Sequence, residues 1–259
     1  MKFVKILSAG ILACLLALGP ARAGEKLTIA AAADLKFAMD EIAASFRKAH
    51  PGEEVDVIYG SSGKFHTQIQ QGAPFDIFFS ADKGFAEGLK AEGLAVTEPK
   101  LYAVGRIVLW SSTRDASKMN LKDLDDPKLN KIAVANPAHA PYGKRAEEAL
   151  GAVGLWDKLK DKLVFGENIA QTAQFVQTGA ADIGVIALSL AKSPALASKG
   201  GYALIPDKLH ALLEQAFVIT KHGAENALAK AFARYMSAKE SRQIMIRYGF
   251  VLPSETALK

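Results

Sequence analysis

Cysteine is almost absent from this chain: the only one among 259 residues is Cys14, inside an apolar leader-like segment. A mature protein without that segment has no disulfide, no thiolate chemistry and no cysteine-based metal site. An excess of charge is missing too. Without the leader, 29 Lys and Arg stand against 27 Asp and Glu, so the formal charge falls from +5 to +2. Nucleic-acid binding needs clustered Lys and Arg to neutralise phosphates, so this balance argues against it. There is no repeat of fixed period, no low-complexity run and no flexible linker. Any two halves of the chain should therefore be tightly hinged, not strung apart.

The leader reads "MKFVKILSAGILACLLALGPARAGEK". Lys2 and Lys5 precede the apolar run, and Ala21-Arg22-Ala23 gives the small-x-small signature of a cleaved secretory signal, residues 1–23, with cleavage after Ala23. The apolar run closes at Gly19-Pro20, short of an ordinary membrane span. A lipid anchor on Cys14 ranks lower, because it would cut the apolar run in half. The expectation is a periplasmic protein whose 236 mature residues bury an ample core without staples.

Strands and helices then alternate. "KLTIAAAA" and "EVDVIYG" read as strands, as do "FDIFFSAD", "KIAVANP", "KLVFGE" and "DIGVIAL". Between them lie amphipathic stretches such as "DLKFAMDEIAASFRKAH", with Leu35, Met39, Ile42 and Phe46 on one face. Asp34 stands where an N-cap belongs, and it is read as capping that helix. Such alternation predicts parallel sheets flanked by helices. "YAVGRIVLWSS" is long, apolar and helix-free, which suits a crossing between domains, and "LEQAFVIT" suits a return. The expected organisation is a discontinuous first domain, 24–104 with 215–259, and a second domain, 105–214. Closure is expected about those two crossings.

Enzyme motifs fail on inspection. Gly60-Ser61-Ser62-Gly63 puts Lys64 where a nucleophile elbow needs glycine, and Phe65 follows Gly63-Lys64 where a phosphate-binding Walker loop needs Ser or Thr. The five histidines, His50, His66, His139, His210 and His222, show no paired metal spacing, and each is read as a solvated surface residue. Asp76 and Asp82 flank a strand and read as caps. What remains is a set of loop-to-helix junctions at strand ends: "AAAADL", "YGSSGK", "NPAHAPYGK" and "GENIAQT". Helix N-termini at the carboxyl ends of strands offer unpaired N–H donors, so an anion held between two such pairs of junctions is the natural reading.

Five segments, "AAADL", "GSSG…QIQQGAPFDIFFSAD", "VANPAHAPYGKRAEEAL", "GAADIGVIALS" and "RYGFVLP", resemble the molybdate-binding periplasmic proteins of ABC transporters in order and over nearly all of the mature chain. The resemblance implies a type II periplasmic binding fold, two α/β domains with mixed, mainly parallel sheets joined by a two-strand hinge. It implies a tetrahedral oxyanion, molybdate or tungstate, held by neutral donors, delivery to a membrane permease, a monomer, no cofactor and no catalysis. Molybdenum enters only as bound molybdate. Carried over by position, the contacts fall on Asp34, Ser62, Tyr142 and Ile169, with Ala33, Ser61, Gly63, Asn168 and Ala187 as neighbours. Two positions depart from the family pattern: Asp34 replaces a usual Ser or Asn, and Ala187 replaces a Tyr that donates in some members. The Tyr142 phenol could make up for the second. The alternatives are a receptor for another anion, such as sulfate, phosphate or a small carboxylate, and a secreted serine hydrolase using Ser61 or Ser62 with His66 or His139.

Overall fold

The structure, a computed structural model, describes residues 25–253. The leader, its cleavage site and Cys14 lie outside the described residues. The strands are β1 (Lys26–Ala32), β2 (Glu54–Gly60), β3 (Ile77–Ser80), β4 (Lys100–Gly105), β5 (Ile107–Trp110), β6 (Ile132–Ala135), β7 (Leu163–Gly166), β8 (Ile183–Ala187), β9 (Tyr202–Leu204) and β10 (Leu213–Ile219). The helices are α1 (Lys36–Ala49), α2 (Ser62–Gln70), α3 (Lys83–Ala91), α4 (Pro141–Ala152), α5 (Ile169–Gln177), α6 (Leu188–Ala191), α7 (Pro194–Ala197), α8 (Ala227–Tyr235) and α9 (Lys239–Arg247).

These strands form two five-stranded sheets, ordered β2-β1-β3-β10-β4 and β7-β6-β8-β5-β9. In the first, β1 runs parallel to β2 and β3, while β10 is antiparallel to β3 and β4. The second repeats the plan, with β6 parallel to β7 and β8, and β5 antiparallel to β8 and β9. Both sheets are therefore mixed, each with one reversed strand inside it.

Period-two alternation builds the layers. Phe78 faces a core with Phe65, Ile69 and Leu89 under α2 and α3, while its neighbour Phe79 faces Phe46, Met39 and Phe232 under α1 and α8. Helix α1 forms because Met39, Ile42, Ala43 and Phe46 recur at helical spacing, and all are buried. Arg47 and Lys48 in its last turn complement the helix dipole. Burying each large side chain is worth roughly 1.5–3 kcal/mol, so a charge at Met39 would break this layer. The second lobe has one continuous core around Trp110, Ile132, Val134 and Ile183.

The chain leaves the first sheet at Gly105 and enters the second at Ile107, so "YAVGRIVLW" is two strands parted at Arg106. It returns between β9 and β10. The crossings lie side by side: Leu213 is opposite Gly105, and the Ile205 amide donates to the Ile107 carbonyl at 3.1 Å. The edge strand β9 and the short helices α6 and α7 had no reading in the sequence, because each spans a single turn or three residues.

Candidate functional site

All the junctions singled out in the sequence sit where a strand gives way to a helix, and they face one another across the two lobes. On the first lobe, β2 ends at Gly60 and α2 begins at Ser62, which is fully buried. The Ser62 Oγ accepts from the Ala81 amide at 2.9 Å, leaving its own hydrogen with no acceptor among the described residues. Ser61 does not cap the helix; its Oγ meets His139 Nδ1 of the second lobe at 3.0 Å. The Gly63 amide donates to the His139 carbonyl at 3.0 Å, and a Cβ there would lie 2.7 Å from that oxygen. Only glycine lets the two lobes come this close.

On the second lobe, Asn168 caps α5, its Oδ1 accepting from the amides of Ala170 and Gln171 at 3.0 Å each. That capping consumes two first-turn donors and leaves the Ile169 amide. Pro141 opens α4 without an N–H, and Tyr142 follows it. Among the described residues, the amides of Ser62, Tyr142 and Ile169 donate to no protein acceptor. Unpaired first-turn amides at helix N-termini from both lobes make a neutral, positively polarised pocket.

Asp34 corrects the expectation made for it. Its carboxylate caps nothing: α1 has no side-chain cap, and the residue sits in a 3-10 turn, Ala33–Leu35, fully packed between the lobes. Oδ2 accepts from the Tyr142 hydroxyl at 2.9 Å and from Gln215 Nε2 at 2.8 Å, and Gln215 Nε2 also donates to the Tyr142 oxygen at 3.1 Å. The tertiary pull of two buried donors outweighs the local capping preference. Oδ1 has no hydrogen-bond partner. Burial pushes the carboxyl up to about 6, against the lowering effects of Gln215, Tyr142 and the nearby amides of Asp34 and Leu35. Burial, and then the charge of Asp34, push the Tyr142 phenol well above its ordinary value. The Tyr142 phenol thus donates its hydrogen bond to Asp34, and the donor expected to replace the one missing at Ala187 is already spent. Ala187 is buried at the end of β8 and starts α6. Two residues on, Ser189 Oγ donates to the Asp34 carbonyl at 2.7 Å.

The rim is held by charges on both sides. Lys64 of α2 pairs with Glu167 across the lobes, and Arg145 of α4 pairs with Asp82 at 3.0 Å. Asp82 also caps α3 through Gly84 at 2.9 Å, while Asp76 accepts from the Thr28 amide at 2.7 Å and tethers β1. His139 and His66 are not the solvated residues expected, with side chains only 18% and 16% exposed. Burial holds His139 below its ordinary pKa. Ser61, His139 and Glu167 fall in a row, but Glu167 stands 3.8 Å from the ring and is committed to Lys64, so no hydrogen bond orients the imidazole as a base. No group of His, Asp and Glu among the described residues could hold a metal ion. Beside the junctions an open groove of about 460 Å³, lined by Ala33, Lys36, Phe37, Tyr59, Asn168 and Gln171, leads in from solvent.

Ser189 and Gln215 escaped the sequence reading. A glutamine at the third position of "LEQAFVIT" was the available signal, since a polar residue inside a buried strand must have a partner.

Comparison with known proteins places these features among relatives. The sequence profile of the bacterial extracellular solute-binding proteins matches residues 27–251. Molybdate-binding protein ModA of Rhodobacter capsulatus is 37% identical over 256 residues, covering 96% of this chain and 98% of that protein. The ModA of Azotobacter vinelandii is 36% identical over 252 residues, 97% of each. A solved structure of the periplasmic molybdate-binding protein of Azotobacter vinelandii superposes with a TM-score of 0.82 at 33% identity, covering 88% of this chain and all of that one.

Proposed function

This chain belongs to the bacterial extracellular solute-binding proteins, in their molybdate-binding branch, and from that premise we propose that molybdate is held between the lobes by Ser62, Tyr142, Ile169 and the turn at Asp34. The protein is a molybdate receptor of the ABC-transporter type and not an enzyme. The observation that carries the site assignment is the uncommitted donor set: the Ser62 hydroxyl and the amides of Ser62, Tyr142 and Ile169, with every nearby cation committed to an acid.

A tetrahedral dianion in such a pocket gains charge-assisted hydrogen bonds without a formal positive charge beside it. Selectivity follows from size and from donor count. A smaller sulfate leaves buried donors unpaired, at roughly 1–3 kcal/mol for each, while tungstate, nearly the same size as molybdate, is held about as well. Ala33, Ser61 and Gly63 shape the first-lobe wall, and Asn168 acts by capping α5. We read the lobes as domains, 24–104 with 215–259 and 105–214, that close about the paired crossings. The closed form is what a membrane permease recognises, with the receptor acting as a monomer.

The test is calorimetry and thermal unfolding with molybdate, tungstate, sulfate and phosphate. Ligand at about a thousandfold its Kd stabilises by about 4 kcal/mol. Molybdate and tungstate should raise Tm by several degrees, and sulfate and phosphate at equal concentration should not. A larger shift with sulfate or phosphate would reassign the ligand.

A further inference from the structure

The buried surroundings of Asp34 favour its acid form more than an ordinary carboxyl site does, enough to raise its pKa but not to keep it neutral at pH 7 before loading. One oxygen, Oδ2, accepts from both Tyr142 and Gln215, as a carbonyl oxygen does, and the other, Oδ1, is fully buried with no partner. An ionised group would have only the nearby amides of Asp34 and Leu35 to serve that oxygen, without a well-formed hydrogen bond, a costly arrangement in a dry interior. A proton on Oδ1 turns that orphan acceptor into a donor. The cluster sits at the junction of the lobes: Asp34 follows β1, Tyr142 opens α4 and Gln215 lies on β10, beside the crossing at Gly105. A Cβ on Gly105 would fall 2.3 Å from the Tyr142 hydroxyl and 2.6 Å from Gln215 Nε2, so the backbone there is cut away to fit the cluster.

We propose that Asp34 is a specificity-determining residue that binds the oxyanion as its neutral acid, so that loading the receptor takes up one proton from solvent, with Gln215 and Tyr142 positioning the carboxyl so that Oδ1–H is free to donate. This rests on the site assignment made above. In this assignment protein groups meet the oxyanion only at its oxygens. The proton comes from water and goes to Asp34, and no bond of the ligand changes.

Among the described residues, the charged groups around Asp34 are committed to other partners, Glu214 on β10 to Lys83 among them. Tyr142 on α4 and Tyr102 on β4 both feel the charge of Asp34, and burial holds both well above their ordinary range. Lys36 at the start of α1 pairs with Asp40, and Tyr59 on β2 donates to Asp40. Helices α5 and α6 carry no charged residue. Arg106, past β4, faces Asp207, and Arg145 on α4 is taken by Asp82 and Glu148. The rim also carries His139, facing Glu167 and Lys64 and held below the ordinary imidazole pKa by burial. Free of ligand, Asp34 titrates near 6 because of burial, and a dianion beside it raises that value further. Near neutral pH the free protein is mostly ionised at this position and the loaded one is not.

The experiment is isothermal titration calorimetry of the full mature chain with sodium molybdate between about pH 6 and 8, in buffers of different ionisation enthalpy. About one proton should be taken up per molybdate at the alkaline end and much less at the acidic end, with affinity falling towards tenfold per pH unit as pH rises. Asp34→Asn presents an amide donor in place of Oδ1–H at every pH. It should abolish the uptake and flatten the pH profile, binding more tightly than the unaltered protein at alkaline pH. Molybdate bound without proton uptake at alkaline pH overturns this inference and leaves the proposed function standing. Uptake that persists in Asp34→Asn also overturns it, assigning the proton to His139 or another group. Failure of molybdate to bind at any pH overturns the proposed function, and this inference with it.

Discussion

Ser62→Ala separates two roles that the structure gives to one hydroxyl. The oxygen accepts from the buried Ala81 amide at 2.9 Å, and the hydrogen is the donor assigned to the oxyanion. Removing the oxygen orphans a buried N–H at a cost of roughly 1–3 kcal/mol, because no other acceptor replaces it. For a chain of this size that lowers the Tm of the ligand-free protein by roughly 2–4 °C per kcal/mol. Losing the hydrogen removes a bond to a dianion, worth about 1.5–3 kcal/mol, or roughly 10- to 150-fold in Kd. The two losses are read independently, by thermal unfolding without ligand and by calorimetry with molybdate. The variant should be folded, less stable and weaker in binding. A stability loss with unaltered affinity would show that Ser62 only braces β3 against α2. That result would remove the side chain from the oxyanion site.

Asp34 makes ligand-free stability depend on pH. Its folded pKa lies above the unfolded value, so the stability it contributes is complete below about pH 4 and is lost as pH rises through about 6. The loss is of order 3 kcal/mol, and urea titrations at several pH values should find it in the unaltered protein and not in Asp34→Asn. Tyr142→Phe removes one of the two donors to Oδ2, so it should raise the Asp34 pKa further and destabilise by about 1–3 kcal/mol at pH 8, with a smaller effect at pH 5; equal losses at both pH values would contradict the arrangement. Gly105→Ala drives a methyl into Tyr142 and Gln215 and should weaken molybdate binding, with small-angle scattering showing a more open particle; scattering identical to that of the unaltered protein would count against it. Glu167→Gln breaks the half-exposed pair with Lys64 and should change affinity by no more than a few fold, less at high salt.

Most strands and the long helices were legible in the sequence because their signals are local. The alternation of Phe78 and Phe79 between two cores, or the spacing of Met39, Ile42 and Phe46, needs no knowledge of distant chain. The break at Arg106 was not legible, since one apolar run feeds both sheets and only the pairing partners differ. In the site, the junction amides followed from helix starts, whereas the fate of Asp34 depends on residues 108 and 181 positions away. A local rule favoured a cap. Two buried donors from distant elements overruled it. His139 misled in the same way: alone in a loop it looks solvated, and it is the approach of Ser61 and Gly63 from the other lobe that buries it.

The placement of β10 has a consequence for how this polypeptide acquires its shape. The second sheet is made entirely from the contiguous stretch between β5 and β9, so all of its partners have been synthesised by Leu204. The first sheet is not. Its fourth position, between β3 and β4, stays open until residues 213–219 arrive, and β4 has no neighbour in the sheet before then. Contacts closed over so much intervening chain form slowly. A nascent chain therefore carries a first sheet with an open slot until residues 213–219, in the last fifth of its length, have been made.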